Sequence, residues 1–191
     1  MPTLRLLAIA DRAPSRRVRD IISETPVDVI VTLGDLELSQ IRDLELITDI
    51  PKLGVYGNHC SGSYMDTVGL VNMHLNTTTV KGITFGGFEG SVRYKNSPYA
   101  KMYTQEEATA LLADFPRVDV MLTHCPPYGI NDDQRDLSHT GFLGLRTYLE
   151  QKSPPYLLHG HTYPTEASLV QEYLNTRIEY VFGERIVEIT F

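Results

Sequence analysis

Asp11 in "AIAD", Asp35 in "VTLGD", Asn58 and His59 in "GVYGNH", His124 in "VMLTH" and His161 in "LLHGH" share one property. Each stands at, or one turn beyond, the end of an apolar run. Carboxylate, amide oxygen and imidazole together suit Mn, Fe or Zn, whereas a structural zinc site would draw on cysteine. Taken singly, each residue has a plainer role. An aspartate such as Asp11 caps a helix, Gly34-Asp35 and Gly57-Asn58 are ordinary turn pairs, and His124 or His161 is an everyday core or surface histidine. The recurrence at successive strand ends is what points to chemistry, because ligands of open α/β sheets bind outside the carboxyl ends of the strands.

The elements that must position these groups are legible from periodicity. "LRLLAIA" (Leu4 to Ala10) and "VDVIVTL" (Val27 to Leu33) read as buried strands. Between them Val18, Ile21 and Ile22 fall at i, i+3, i+4 of a helix. A second helix is expected over about Ser39 to Ile47, buried through Ile41, Leu44 and Ile47, then a third strand in "KLGVYG". Such β-α-β-α-β order implies parallel pairing with right-handed crossovers. From Thr67 to Gly90 no helix is expected; "LVNMHL" and "TVKGITFGGF" each read as one strand, and Glu89 to Tyr103 as a loop. "TQEE" at Thr104 is a capping box, opening a helix with Ala108, Leu111 and Leu112 on its apolar face. "VDVMLTH" and "PYLLHGH" are further strands, separated by a polar loop and a helix at about Phe142 to Gln151. The tail from Glu166 reads as two or three antiparallel strands with a turn near Gly183. No linker divides the 191 residues, so one domain, 1–191, is expected.

Composition narrows the partners. A formal net charge of -7 disfavours a general nucleic-acid binder, since that affinity comes mainly from Lys and Arg neutralising phosphates. A small phosphorylated substrate stays open, because a bound cation supplies local positive charge. No apolar stretch approaches transmembrane length, and "MPTLRLLAIADRAP" is too interrupted for a secretory leader. Cys60 and Cys125 are too few for a disulfide scaffold and read as small half-buried residues at strand ends. A cytoplasmic protein is expected, with no membrane partner. An exposed edge among the C-terminal strands leaves room for a homo-oligomer.

"GDLE" at Gly34, "GNH" at Gly57, "LTHCPP" at Leu122 and "GHT" at Gly160 occur in the order seen in calcineurin-like metallophosphoesterases, and the chain resembles that family from about Leu4 to its C-terminal strands. The resemblance implies an α/β fold of two mixed β-sheets packed face to face with helices outside, a four-layer sandwich. It implies two metals bridged by Asp35. One set of ligands is complete here: Asp35, Asn58, His124 and His161. The other keeps Asp11 and the bridging Asp35 but has Ala13 and Tyr163 where histidines are expected. One divalent cation held tightly and a second held weakly follow. Arg12 is a candidate fixed cation for phosphate at the weakened position, although a solvated arginine is the plainer reading, and His159 reads as a packed strand residue.

The same resemblance implies hydrolysis of a small phosphodiester by a metal-bound water. Asp35 would serve the catalytic centre and His59 would protonate the leaving oxygen. Cys60 stands where the family often has an acidic residue to orient that histidine, and Glu37 keeps the usual acid of the "GDLE" turn. His139, in "DLSHTG", is a substrate-contact candidate, and Arg93-Tyr94-Lys95 is expected beside the cleft. The alternative is a non-catalytic metal-binding scaffold on the same fold, docking a protein partner. Retention of His59 favours the enzyme, because that residue serves chemistry rather than metal holding.

Overall fold

The computed structural model describes residues 3–60 and 64–191. In chain order the strands are β1 (Thr3–Ala10), β2 (Val29–Thr32), β3 (Lys52–Gly54), β4 (Val71–Asn72), β5 (Thr77–Val80), β6 (Ile83–Phe88), β7 (Ser91–Val92), β8 (Met102–Tyr103), β9 (Val120–Thr123), β10 (Tyr156–His159), β11 (Glu172–Tyr173), β12 (Thr176–Tyr180) and β13 (Gly183–Thr190). The helices are α1 (Val18–Glu24), α2 (Leu38–Ile41), α3 (Tyr64–Val68), α4 (Gln105–Ala113) and α5 (Leu143–Lys152). Two larger sheets form, in the orders β13-β1-β2-β3-β4 and β11-β12-β10-β9-β6-β5. Both are mixed. The first is parallel except where β13 meets β1, and the second has antiparallel pairs at β5-β6 and β11-β12.

Period-two alternation divides the side chains into layers. Leu4, Leu6, Ala8 and Ala10 of β1 and Val29 and Val31 of β2 join Phe85, Val120 and Leu158 of the second sheet in one buried cluster. That cluster is the seam between the sheets. The alternate residues Leu7, Ile9 and Ile30 face outward onto Val18 and Ile21 of α1, Ile41, Leu44 and Met65. On the other flank Met121, Leu157 and Ile178 pack against Ala108 and Leu112 of α4 and Leu145 and Leu149 of α5. The result is helices, sheet, sheet, helices, the α/β sandwich expected from the sequence. No helix among the described residues is long and apolar enough to cross a membrane.

Several expectations need correction. The second helix is one turn of α followed by a 3-10 turn at Arg42–Leu46, because Ile41 leaves helical geometry at φ -127, ψ 15. Buried Lys52 then caps that segment, its Nζ donating to the carbonyls of Leu44 (2.8 Å) and Ile47 (2.7 Å). A short helix, α3, was not expected; five residues are too few to show a helical period. "TVKGITFGGF" is a hairpin rather than one strand, with Lys81 and Gly82 both at positive φ in its turn. The 89–103 loop contains the short β7-β8 pair. Leu111 is 40% exposed and lies off the buried face of α4. The turn at Gly183 joins no hairpin: β12 runs parallel to β10, and β13 crosses to the other sheet, antiparallel to β1. A sequence pattern reports strands but not which sheet receives them.

Candidate metal centre

The carboxyl ends of β1, β2, β9 and β10 meet at one end of the sandwich. Glycine makes the approach possible. A Cβ on Gly57 would strike the Asp35 carboxylate and backbone, and one on Gly160 would strike the Asp11 carboxylate. Asp11, Asp35 and His161 themselves have φ of 60, 52 and 70, the left-handed region that side chains enter at a cost. Each residue thereby turns back toward the strand ends instead of continuing its strand.

His124 is fully buried at the centre. Its Nδ1 lies 2.7 Å from the Leu33 carbonyl and its Nε2 lies 3.0 Å from Asn58 Oδ1 and 3.4 Å from Asp35 Oδ2. Asp11 Oδ1 is 3.9 Å from the same ring. The Asp11 carboxylate also accepts the His161 amide at 2.8 Å, through Oδ2. His161 Nε2 donates to the Ser138 carbonyl at 2.8 Å, and its ring centre is 4.7 Å from that of His124. Ligand atoms of Asp35, His124 and His161 all lie within 4.8 Å of one another.

The donor set fits a cation. Oxygen acceptors face both nitrogens of His124, so either the ring is an imidazolium or its Nε2 lone pair and the neighbouring oxygens share a positive ion. The electrostatics agree. Burial works against charge on His124, yet Asp35 and Asp11 outweigh it and raise its pKa. Burial would likewise lift Asp35, but His124 and the His59 amide bring it down to about 2. Burial pushes Asp11 up to about 6 against the pull of His124. Burial and the charge of His124 depress His161 to about 3, so it stays neutral and offers Nδ1 as a lone pair. Leu33 and Ser138 are the backbone partners that fix each ring's orientation, the usual outer support of metal-bound histidine.

The other sequence candidates fall around this cluster. His59 is exposed beside buried Asn58, and its amide donates to Asp35 Oδ1 at 2.7 Å. The His139 ring lies tilted, 5.3 Å from the His161 ring, with its Nδ1 2.6 Å from Asp136 Oδ2. Arg12 is exposed and lines a separate cleft with Phe182, Gly183 and Glu184; its guanidinium forms no hydrogen bond or ion pair among the described residues. Tyr163 is 66% exposed, its ring 5.6 Å from His139 and 5.7 Å from Phe182. Buried His159 points to the outer face of its sheet, where its Nε2 meets Asn131 at 3.0 Å. Tyr94 reaches Asn58 Nδ2 at 3.5 Å from the 89–103 segment.

Two contributors were missed by sequence reasoning. Cys60 Sγ accepts both the Asp35 and Gly57 amides at 3.1 Å, tying the two ligand turns together. The spacing of Cys60 three residues after Gly57 was the available signal. Tyr180, at the end of β12, has its phenol pKa raised to about 12 by burial and by the Asp11 carboxylate. Nothing local in the sequence marks it, since its place depends on which strand β12 joins.

No protein-family model and no curated protein matches the sequence. The fold matches solved structures. One crystal structure aligns over 100% of both chains at TM-score 0.68 and 14% identity. The protein TT1561 of Thermus thermophilus covers 86% of this chain and 84% of its own at TM-score 0.59 and 17% identity. A hypothetical protein from the same organism covers 94% and 76% at TM-score 0.54 and 16% identity. At these identities the likeness is one of fold.

Proposed function

We propose that this chain is a metal-dependent phosphoesterase that hydrolyses a small phosphodiester. The observation that carries the reading is the convergence of Asp35 Oδ2 and Asn58 Oδ1 on His124 Nε2, with His161 alongside. Asp35, Asn58, His124 and His161 would hold a divalent cation, which would supply Lewis-acid polarisation of phosphoryl oxygens and lower the pKa of a water. Manganese, iron and zinc suit the mixed oxygen and nitrogen set. Asp11 faces the same centre, and with Ala13 and Tyr163 in place of imidazoles any second cation there is weakly held.

The chain's own residues do the rest. The Asp35 carboxylate accepts the His59 amide, which holds that backbone beside the centre while the residue stays exposed. In the reaction, water would add to phosphorus and lose a proton to solvent, the ester P–O bond would break, and protonated His59 would give its proton to the departing oxygen and regain one from solvent. The buried walls made by His124, Asn58 and His161 exclude solvent from the inner side. Free Cys60 and Cys125 accord with a reducing, cytoplasmic setting.

The test is metal analysis followed by assay of bis-p-nitrophenyl phosphate and p-nitrophenyl phosphate with added Mn²⁺, in wild type, Asp35→Ala and His59→Ala. Metal-dependent turnover, greater on the diester and lost in both variants, is expected. A folded, metal-loaded protein without turnover across metals and pH sinks the enzyme and favours a metal-binding scaffold.

A further inference from the structure

Beyond His139 the candidate centre opens into a cleft of about 490 Å³ between the 129–135 segment and the 162–170 turn. Its volume is in the range of small-molecule sites. Three features of its lining stand out. Tyr163 presents a ring that is 66% exposed. The Thr162 hydroxyl, in a residue only 2% exposed, has no hydrogen-bond partner. Asp132 and Asp133 lend it negative charge, and the guanidinium of Arg135 is already held by Asp133 at 3.1 Å.

A row of rings connects this cleft to the centre. His161 meets His139 at 5.3 Å, and His139 meets Tyr163 at 5.6 Å. Phe182, itself 43% exposed, supports the far edge of Tyr163. An exposed ring held by rings on two sides is a stacking platform for a flat group. Asp132, the acid of this lining that Arg135 does not hold, disfavours a second phosphate, so the group that enters is uncharged. Asp132, whose Oδ2 accepts the Gly141 amide, keeps its other oxygen for a ligand edge with an N–H donor.

We infer that this cleft takes the organic part of the diester, and that this part is a nucleobase or an equally flat, uncharged, donor-bearing heterocycle. The inference rests on the phosphoesterase reading for its placement of the phosphate, but the cleft's affinity for the base does not depend on metal or turnover. Tyr163 thus has a use at the position where the resemblance expects a metal ligand: its ring stacks on the base while the phosphodiester lies toward Asp35, His124 and His161.

The test uses the full-length protein and three probes: adenosine, thymidine and ribose 5-phosphate, titrated by calorimetry and by NMR shifts of the tyrosine rings. At least one nucleoside is expected to bind wild type, and Tyr163→Leu to weaken it about tenfold, within the usual worth of base–aromatic stacking. Ribose 5-phosphate is expected to show little dependence on Tyr163. Failure of both nucleosides to bind overturns the inference, as does binding that Tyr163→Leu leaves intact in a folded variant. Hydrolysis of thymidine 5′-p-nitrophenyl phosphate against methyl p-nitrophenyl phosphate separates the two readings. Nucleoside binding without any diester hydrolysis upholds the cleft and removes the phosphoesterase. Diester hydrolysis with equal kcat/KM on both esters removes the cleft and keeps the phosphoesterase.

Discussion

His124 Nε2 lies 3.0 Å from Asn58 Oδ1, while the other nitrogen of the same ring faces the Leu33 carbonyl. An imidazole between two acceptors needs a positive charge, either its own second proton or a cation in front of Nε2. A buried ring in that position is therefore a sensor of metal occupancy. Divalent metal added to metal-free protein is expected to raise the melting temperature, by linkage worth about 2.7 kcal/mol at a concentration one hundredfold above Kd. His124→Gln is expected to abolish the shift. Differential scanning fluorimetry with Mn²⁺, Zn²⁺ and Fe²⁺, paired with metal analysis, reads both effects.

Cys60 holds two ligand turns through one sulfur. Replacing it with alanine leaves the Asp35 and Gly57 amides without their acceptor. Cys60→Ala is expected to cost about 1–3 kcal/mol in urea unfolding. Metal affinity should fall by about tenfold or more, the usual effect of losing outer support of a metal site. Cys60→Ser, which keeps an acceptor, should lose less of both. Unchanged metal affinity in Cys60→Ala would show that the turns are set by their own backbones.

Gly57 is the tightest approach in the centre. A methyl group there meets the Asp35 carboxylate and also its backbone nitrogen, so rotating the side chain is no remedy. Gly57→Ala is expected to lose metal binding and to be less stable by about 1–3 kcal/mol, as overpacking is. Gly82→Ala adds the same methyl with no atom within 4 Å of it but at φ 84, so it should lose some stability through its backbone alone and keep metal binding. Metal titration and chemical denaturation of the two variants provide the comparison.

His74 sets a pH dependence away from the centre. Its Nδ1 accepts the Glu89 amide at 3.2 Å, and its Nε2 meets the Tyr103 hydroxyl, also at 3.2 Å. A proton on Nδ1 would face an N–H. Burial lowers the pKa of His74, with Glu89 opposing and Lys101 assisting. The unfolded chain then takes up this proton more readily than the native one. The associated stability is complete above the ordinary histidine value of about 6.5 and declines as pH falls below it. Urea unfolding from pH 7.5 to pH 5 should show that decline, and His74→Gln should make it shallower, with His159 and His161, which burial also depresses, supplying the remainder. An equal slope in the variant would assign the pH dependence to other groups.

Much of the centre was legible because its parts are local. Glycine followed by Asp35, Asn58 or His161, at the end of an apolar run, is a turn whose chemistry is carried by adjacent residues. The capping box was equally readable: Thr104 Oγ1 accepts the Glu107 amide at 3.1 Å, and Glu107 Oε2 accepts the Thr104 amide at 2.8 Å. What escaped depends on partners distant in the chain. Gly183 looks like a hairpin turn until β13 is seen to leave for the other sheet. Lys81-Gly82, set between Thr77–Val80 and Ile83, was a turn signal passed over, and α3 was too short to declare a period. Cys60 was visible as a residue but not as an acceptor, because its donors belong to turns that meet only in three dimensions.

Asp11, Asp35 and His161 all occupy left-handed backbone conformations. Such positions cost of order 1–3 kcal/mol each for residues with side chains, less for aspartate than for a bulky residue. Glycine would relieve the backbone at all three, against the loss of their side-chain hydrogen bonds, and would remove ligands of the ion, so fold stability and ion binding make different demands here. A pool of variants selected only for thermal resistance is therefore expected to change at these positions. One selected for metal retention is expected to hold them fixed, and the divergence of the two pools would map the centre without any knowledge of its substrate.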